Sequence, residues 1–369
     1  MIKYIWEKQN WFDFKYDTKV LMEFLAKARR VQGELLGKVS LLDVGQEIEA
    51  QAEVLVEEAV RTSEIEGMRL NKEAVRSSIA RRLGIPHGVS IKDRNAEGLV
   101  DLLLDAIRFN DKPLTLKRLN GWQAALFPTS YSGIKKIHAG RLRGNDPMQV
   151  ISGPIGKERV HFEAPPKEQA DRELKSFIKW WNNYPGAMDG IIRAATAHLR
   201  FITIHPYEDG NGRIARALTD MALSQDEKLK VRFYSISSQI MRVRKDYYKI
   251  IEDVQNCRVD TTMWFLWFLE CFIAAIENSR DIIAHVFKKA EFWKKYSQTQ
   301  LNDRQRKVIA KLMGAGEKEF AGGLTTRKYV GMTKTSRATA FREIDDLVAK
   351  GVLRHYSGKG RSVRYKIIW

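Results

Sequence analysis

The sequence predicts a mainly α-helical fold in which β-structure is confined to two short hairpins. Three observations carry this. Apolar residues recur at mostly helical spacing from "DTKVLMEFLAKARRVQGELLGKV" to "LVDLLLDAIRFN". Strand signals occur at only two places, "PMQVISGPIGKERVHFEAPP" and "GVLRHYSGKGRSVRYKII". The longest apolar run, "MWFLWFLECFIAAI", is too short to span a bilayer and carries Glu270, so it reads as a buried core helix.

The elements follow in order. The N-terminal "MIKYIWEKQNWF" has no apolar stretch followed by a small-residue cleavage site, which argues against export. Within the first helical region "HGVSIKDRN" reads as a loop. In the first hairpin, Gly153-Pro154-Ile155-Gly156 supplies a turn between short β-favouring runs. Helical signals return in "DRELKSFIKWWNNY" and stop at Pro185-Gly186. A charged junction from Glu291 to Asp303 marks an expected domain boundary. At 369 residues the chain has room for two or three domains, and its 44% apolar and 29% charged composition is that of a globular protein. There is no internal repeat. The two cysteines, Cys257 and Cys271, make neither a disulfide framework nor a metal-site spacing, and a cytoplasmic, reducing location fits them.

The net charge of +18 is uneven: residues 301–369 hold 16 Lys/Arg against 6 Asp/Glu, a balance of +10, and the other 300 residues carry +8. Such asymmetry points to an anionic partner for the C-terminal part, nucleic acid first, against the plainer reading of a solvated basic surface.

The densest stretch is "HPYEDGNGRIAR", His205 to Arg216. The helix before it has apolar residues at Ile191, Ala195, Leu199 and Ile202, the spacing of a buried face. Pro206 forces a helix end at Ile204-His205, so His205 stands at the mouth of a packed element. Gly210 and Gly212 allow a tight turn and close approach to a ligand. A new helix starts near Gly212, with Ile214, Ala217, Leu218, Met221 and Ala222 on its apolar face. Its first N–H groups have no intrahelical partner and, with the helix dipole, make an anion site. Arg213 and Arg216 project from one side towards that place. Asp209 is a hard oxygen ligand beside it, suited to Mg²⁺ shared with phosphate. Any one of these residues alone reads as a polar helix-loop-helix corner. Together they read as a base, a metal ligand, an amide cradle and two phosphate-binding arginines.

This stretch resembles the signature of the Fic-domain family, His-Pro-Phe-x-Asp-Gly-Asn-Gly-Arg-x-x-Arg, from which only Tyr207 departs, keeping an aromatic ring. The resemblance implies a Fic helical core that transfers AMP from ATP to a hydroxyl side chain of a target protein and releases diphosphate. It implies His205 as general base, Asp209 as the holder of Mg²⁺, Asn211 and the loop amides of Gly210 and Gly212 as an anion hole, and Arg213 and Arg216 as phosphate ligands. "GRLRGNDPMQVISGPIGKERVHFEAPP" is similar to the family's Arg-containing lead-in and β-hairpin flap, which holds a target segment as an added strand. "YIWEKQNWFDFKYD" resembles the helical region before many bacterial Fic domains. The domains expected are an N-terminal helical region at 1–95, a catalytic domain at 96–285 and a C-terminal domain at 295–369.

"TSEIEG", Thr62 to Gly67, resembles the family's inhibitory motif, Ser/Thr-x-x-x-Glu-Gly/Asn. Independently, Ala52, Leu55, Ala59, Thr62 and Glu66 share one helical stripe, so Glu66 is expected to end a buried face, with Gly67 suited to the helix C-cap. A carboxylate directed inwards needs a cation, and the family's partner for it falls on Arg216.

"TTRKYVGMTKTSRATAFREIDDLVAKGVLRHYSGKGRSVRYKI" resembles a winged helix. "TTRKYVGMT" reads as a first helix and turn, and Ser336 as the N-cap of the next helix. The core face of that helix is read as Phe341, Ile344, Leu347 and Val348, and its outward face as Arg337, Thr339 and Arg342. The wing has Gly358 and Gly360 at its tip, with Lys359 and Arg361 facing phosphate. Partners expected are therefore ATP, a target protein bearing a Tyr, Ser or Thr hydroxyl, duplex DNA and a second copy in a homodimer, with no membrane. Alternatives left open by the sequence are removal of AMP with Glu66 positioning water, a DNA-binding regulator whose core senses a ligand, a phosphocholine or UMP donor, and a C-terminal domain that binds protein.

Overall fold

Local capping chemistry sets most helix boundaries. Helices α1 (Thr18–Val39), α2 (Val44–Ile65), α3 (Lys72–Leu83) and α4 (Arg94–Arg108) are each opened by a side-chain oxygen, from Asp17, Asp43, Asn71 and Asp93. Asp43 and Gln46 complete a reciprocal capping box. The computed structural model describes residues 2–85, 91–154, 156–183, 186, 188–314, 323–357 and 363–369. The chain divides into two compact units, Met1–Ile283 and Ala284–Trp369.

The first unit continues with α5 (Leu116–Leu126), a two-residue hairpin β1 (Tyr131–Ser132) and β2 (Lys135–Lys136), and the antiparallel hairpin β3 (Gln149–Ser152) and β4 (Arg159–Glu163). Then come α6 (Lys167–Asn182), α7 (Gly190–Ile204), α8 (Asn211–Glu227), α9 (Ile236–Arg242), α10 (Arg244–Gln255) and the long α11 (Thr261–Lys295), whose residues from Ala284 onward count to the second unit. Helices α7 and α8 pack along each other at the centre of the unit and are buried on nearly every face. Ile202, placed on the buried face by its spacing, is only half-buried because it borders a cleft. The apolar run of α11 buries Trp264, Phe265, Phe268 and Phe272, and no helix among the described residues is long and apolar enough to cross a membrane.

Three expectations need correction. "YIWEKQNWFDFKYD" is not helical beyond a 3-10 turn at Ile5–Glu7. Its aromatic rings pack on other elements instead: Tyr4 meets Phe162 of β4 edge-on, and the Trp6 indole donates to the Glu163 carbonyl at 2.8 Å. The hairpin β1–β2 was not expected, because two-residue strands leave no alternation to read. The boundary expected between Glu291 and Asp303 falls earlier, since α11 runs on to Lys295 and Phe292 and Tyr296 enter the core of the second unit.

That second unit holds α12 (Asp303–Gly314), α13 (Thr326–Thr333), α14 (Arg337–Ala349) and the antiparallel pair β5 (Leu353–Ser357) and β6 (Arg364–Ile367). Ser336 caps α14 by accepting from the Thr339 N–H. Ile344 and Leu347 are in the core, and Val348 packs against it. Phe341 is not: it is 57% exposed, and the small Ala340 takes the inner position. Arg337 and Arg342 are exposed and Thr339 is half-buried. Lys359, Arg361, Gly358 and Gly360 lie outside the described residues, as do Ile155, Pro185 and part of the loop "HGVSIKDRN".

Candidate active site

The turn between α7 and α8 is built from the chain inwards. His205 closes α7 in the left-handed region, with φ 51° and ψ 58°, where the following proline excludes a further helical residue. Its ring Nδ1 lies 3.1 Å from the Ile202 carbonyl. A carbonyl only accepts, so Nδ1 carries the proton and Nε2 keeps the free lone pair. Burial pulls the imidazole down to about 4, with Arg143 adding to the shift. The ring is therefore neutral, and competent to accept a proton, at neutral pH.

The loop is held by side chains that no local reading could supply. Arg143, itself buried, donates from Nε to the His205 carbonyl at 2.9 Å and from its main-chain N–H to the Pro206 carbonyl at 3.0 Å. Asn211 spends its carboxamide on Tyr207, accepting from its N–H at 3.0 Å and donating to its carbonyl at 2.7 Å. Its side chain is thus a loop brace, which leaves only its main-chain N–H to face an anion. Tyr207 is fully buried and donates to Asn120 at 2.9 Å. Gly210, at φ 91°, is the left-handed N-cap of α8.

Asp209 accepts from the Ser132 hydroxyl and from the Gly210 N–H, and its side chain is 37% exposed. One accessible carboxylate beside an anion site fits Mg²⁺, which is held by one or two carboxylates plus substrate phosphates. Arg213 is buried, lies over the Phe127 ring at 4.8 Å and reaches Asp209 at 3.6 Å. Its Nε and the Nη1 of Arg216 are buried donors with no hydrogen-bond partner among the described residues. Unpaired guanidinium donors at a helix N-terminus fit phosphate oxygens.

Arg216 is 1% exposed. It donates from Nε to the Thr62 hydroxyl at 2.7 Å and from Nη2 to the Thr62 carbonyl at 3.0 Å and to Glu66 at 2.6 Å. Burial pulls this guanidinium down, and the adjacent Glu66 carboxylate more than reverses it, so the net shift is upwards. Glu66 stands just past the last turn of α2, followed by Gly67 at φ 78°, with its side chain 29% exposed. It is thus less enclosed than the helical stripe predicts, and Ala52 at the far end of the stripe is half-buried. The Tyr248 hydroxyl donates to the Ile65 carbonyl at 2.9 Å and fixes this helix end. The Glu66 carboxylate sits against the start of α8: a Cβ on Gly212 would lie 2.2 Å from its Oε1. The carboxylate thus lies beside the first N–H groups of α8.

Around these residues opens a cleft of about 950 Å³ lined by Glu66, His205, Asp209, Gly212 and Tyr248, with the β3–β4 hairpin on its rim. Ile151 and Val160 of that hairpin are exposed. Arg159 and His161 of β4 bind Glu252 of α10 at 2.8 and 2.6 Å. Arg143, Ser132 and Tyr248 are the residues that sequence reasoning missed, since each comes from a separate segment.

Another imidazole, His198, is fully buried, sealed between Thr219 and Tyr247 at 2.9 Å each, and is pulled down to about 3 by burial. An unfolded imidazole titrates near 6.5, so between that value and the folded pKa the unfolded chain binds more protons. Stability is therefore expected to be flat above about pH 6.5 and to fall as pH drops below it. Denaturant midpoints at about pH 7 and about pH 4.5 measure this, and His198→Gln should flatten the slope. An unchanged midpoint across that range would contradict both shifts.

Residues 113–223 match the family model described as Fic/DOC family. The chain carries a Fic/DOC-family domain. Residues 4–85, which include Glu66, match a separate model described as a domain of unknown function, DUF4172. Over 166 residues the chain is 31% identical to the protein adenylyltransferase fic-1 of Caenorhabditis briggsae, covering 44% of this chain and 30% of that protein. The chain thus spans under a third of this relative's length. A match to the protein adenylyltransferase Fic of Nematostella vectensis is 24% identical over 196 residues, 52% of this chain and 41% of that one. Among solved structures, a Fic family protein from Desulfovibrio desulfuricans G20 covers 96% of this chain and 97% of its own at a TM-score of 0.56 and 16% identity. Fic-1 of Caenorhabditis elegans covers 72% and 74% at 0.51 and 18%. These likenesses place the Fic domain within a mainly helical fold of the same kind.

Proposed function

We propose that the chain transfers AMP from ATP to a hydroxyl side chain of a target protein and that Glu66 restrains this activity. The observation that carries the reading is a neutral His205 and the start of α8 on one cleft, with buried, unpaired donors of Arg213 and Arg216 on the first turns of that helix. In this reaction the target oxygen bonds to the α-phosphorus of ATP, the bond to the β-phosphate bridging oxygen breaks, and diphosphate leaves. The hydroxyl proton passes to His205 Nε2. Arg213, Arg216 and the first N–H groups of α8 hold the phosphates. Mg²⁺ held by Asp209 would neutralise phosphate charge. The relatives named protein adenylyltransferase support the same chemistry. Incubating the full chain and a cell lysate with ATP labelled at the α- or the γ-phosphate tests it. Transfer from the α position alone is expected, and transfer from the γ position would overturn it.

For the second unit we propose a winged-helix arrangement that binds duplex DNA. The outward face of the β5–β6 hairpin carries Arg354, Arg364 and Lys366, all exposed, with Arg354 directly opposite Lys366. Like charges in that position oppose each other and destabilise a hairpin, unless an anion lies over them. Arg337 and Arg342 of α14 make no ion pair among the described residues, whereas Glu343 and Asp346 are taken up by Arg304 and Lys350 on the inner side. Asp345 is exposed a turn further on. Affinity of the full chain for a mixed-sequence duplex is expected to fall steeply with salt, and R354A/K366A should shrink the log–log slope by about two. Absence of binding at low salt would favour a protein-binding module.

A further inference from the structure

Glu58 lies two turns before Glu66 on α2 and is 3% exposed. Its carboxylate accepts from the Ser235 hydroxyl at 2.7 Å, from the Ser237 N–H at 3.1 Å and from the Ser237 hydroxyl. No Lys or Arg among the described residues lies within ion-pair range of it. A buried anion held only by neutral donors is costly, and an apolar side chain would serve a plain helix-packing role at less cost. Near it lies Asp220 of α8, whose carboxyl is held well above the usual range by burial and by the Glu58 charge. Arg232, paired with Glu227 at 2.9 Å, ties the segment before Ser235 to the end of α8.

We infer that Glu58 is the positioning residue that sets the register of α2 over α8, and so the height of Glu66 above Gly212. The inference rests on the self-inhibition reading. Its logic is geometric. Two side-chain polar contacts tie α2 to the elements around α8: Glu58 on Ser235 and Ser237, and Thr62 with Glu66 on Arg216. Thr62 and Glu66 lie four and eight residues beyond Glu58, about 6 and 12 Å along the helix direction. A slip of one turn would set Val54 or Thr62 against the serines. Val54 accepts nothing, and Thr62 would lose Arg216. Glu58 would meanwhile be left buried without donors, at a cost in the range of a lost charged hydrogen-bond network. Only one register satisfies both ends, and in it the Glu66 carboxylate covers the start of α8. Inhibition then belongs to a clamped helix, and its strength can be changed from the α9 side, far from the phosphates.

The test uses the full chain and α-labelled ATP. Glu58→Ala should raise self- or target labelling about fivefold or more, the lower end of a coupling between sites. Combined with Glu66→Gly it should add nothing, because the carboxylate it positions is gone. S235A/S237A, which leaves α2 intact, should reproduce the gain, and Glu58→Gln, which keeps one acceptor oxygen, should restore most of the inhibition. The Kd for ATP should tighten in Glu58→Ala, an effect that simple loss of stability does not produce. Reduced labelling in both backgrounds with a lower Tm, or a gain on top of Glu66→Gly, would overturn the positioning role. A Glu66→Gly enzyme that is active beside an unchanged Glu58→Ala enzyme overturns this inference alone. A Glu66→Gly enzyme no more active than wild type overturns self-inhibition and the inference with it.

Discussion

His205→Ala is expected to lower AMP transfer by about 10²–10⁴-fold, the usual worth of a positioned general base. ATP binding should survive, because among the described residues the ring makes no hydrogen bond to Arg213, Arg216 or the first turn of α8. The ring's one hydrogen bond is to the Ile202 carbonyl, at the end of its own helix, and the α7–α8 turn is braced separately by Arg143 and Asn211. Two assays on the same protein therefore part company: labelling falls and nucleotide affinity stays. Equal labelling by mutant and wild type would take His205 out of the mechanism.

Glu66→Gly is expected to raise labelling by tenfold or more. The carboxylate lies 2.6 Å from Arg216 and against Gly212, where a phosphate would sit. Two like charges about 4 Å apart repel by roughly 4 kcal/mol at an effective dielectric near 20, on the order of a 10³-fold penalty on productive binding. The measured gain will be smaller, since Glu66 is part-exposed and solvent screens it. Removing it also leaves Arg216 buried without its carboxylate, so the variant should melt lower alone and recover with ATP and Mg²⁺. Arg216→Ala breaks the same pair and should stay inactive. A folded, ATP-bound Glu66→Gly that is no faster than wild type would refute self-inhibition, and one that loses an AMP-removing activity would favour that alternative.

The loop from His205 to Arg216 was legible in the sequence because its parts are consecutive. Pro206, Gly210 and the start of α8 fix its geometry within twelve residues. Glu66 was legible through a helical stripe that ends beside Gly67, although its exposure was underestimated because the residue stands past the helix end. Arg143, Ser132 and Tyr248 were not legible, since they reach the loop from segments that only tertiary packing brings near. Phe341 was misplaced for a different reason. Both position 340 and position 341 lie about one turn before Ile344, and the larger apolar residue was assigned inwards. The close packing of α14 admits the small Ala340 instead.

If Glu66 restrains the enzyme as proposed, its contact with Gly212 makes the carboxylate a tethered competitor of the nucleotide. In that reading both would claim the volume beside Gly212, where the carboxylate lies. A competitor carried by the same chain has an effective concentration set by geometry alone, so dilution of the protein does not weaken it. Free ATP, by contrast, acts through its own concentration. The balance between them would thus report nucleotide level and helix position, and would be blind to how much of the protein is present.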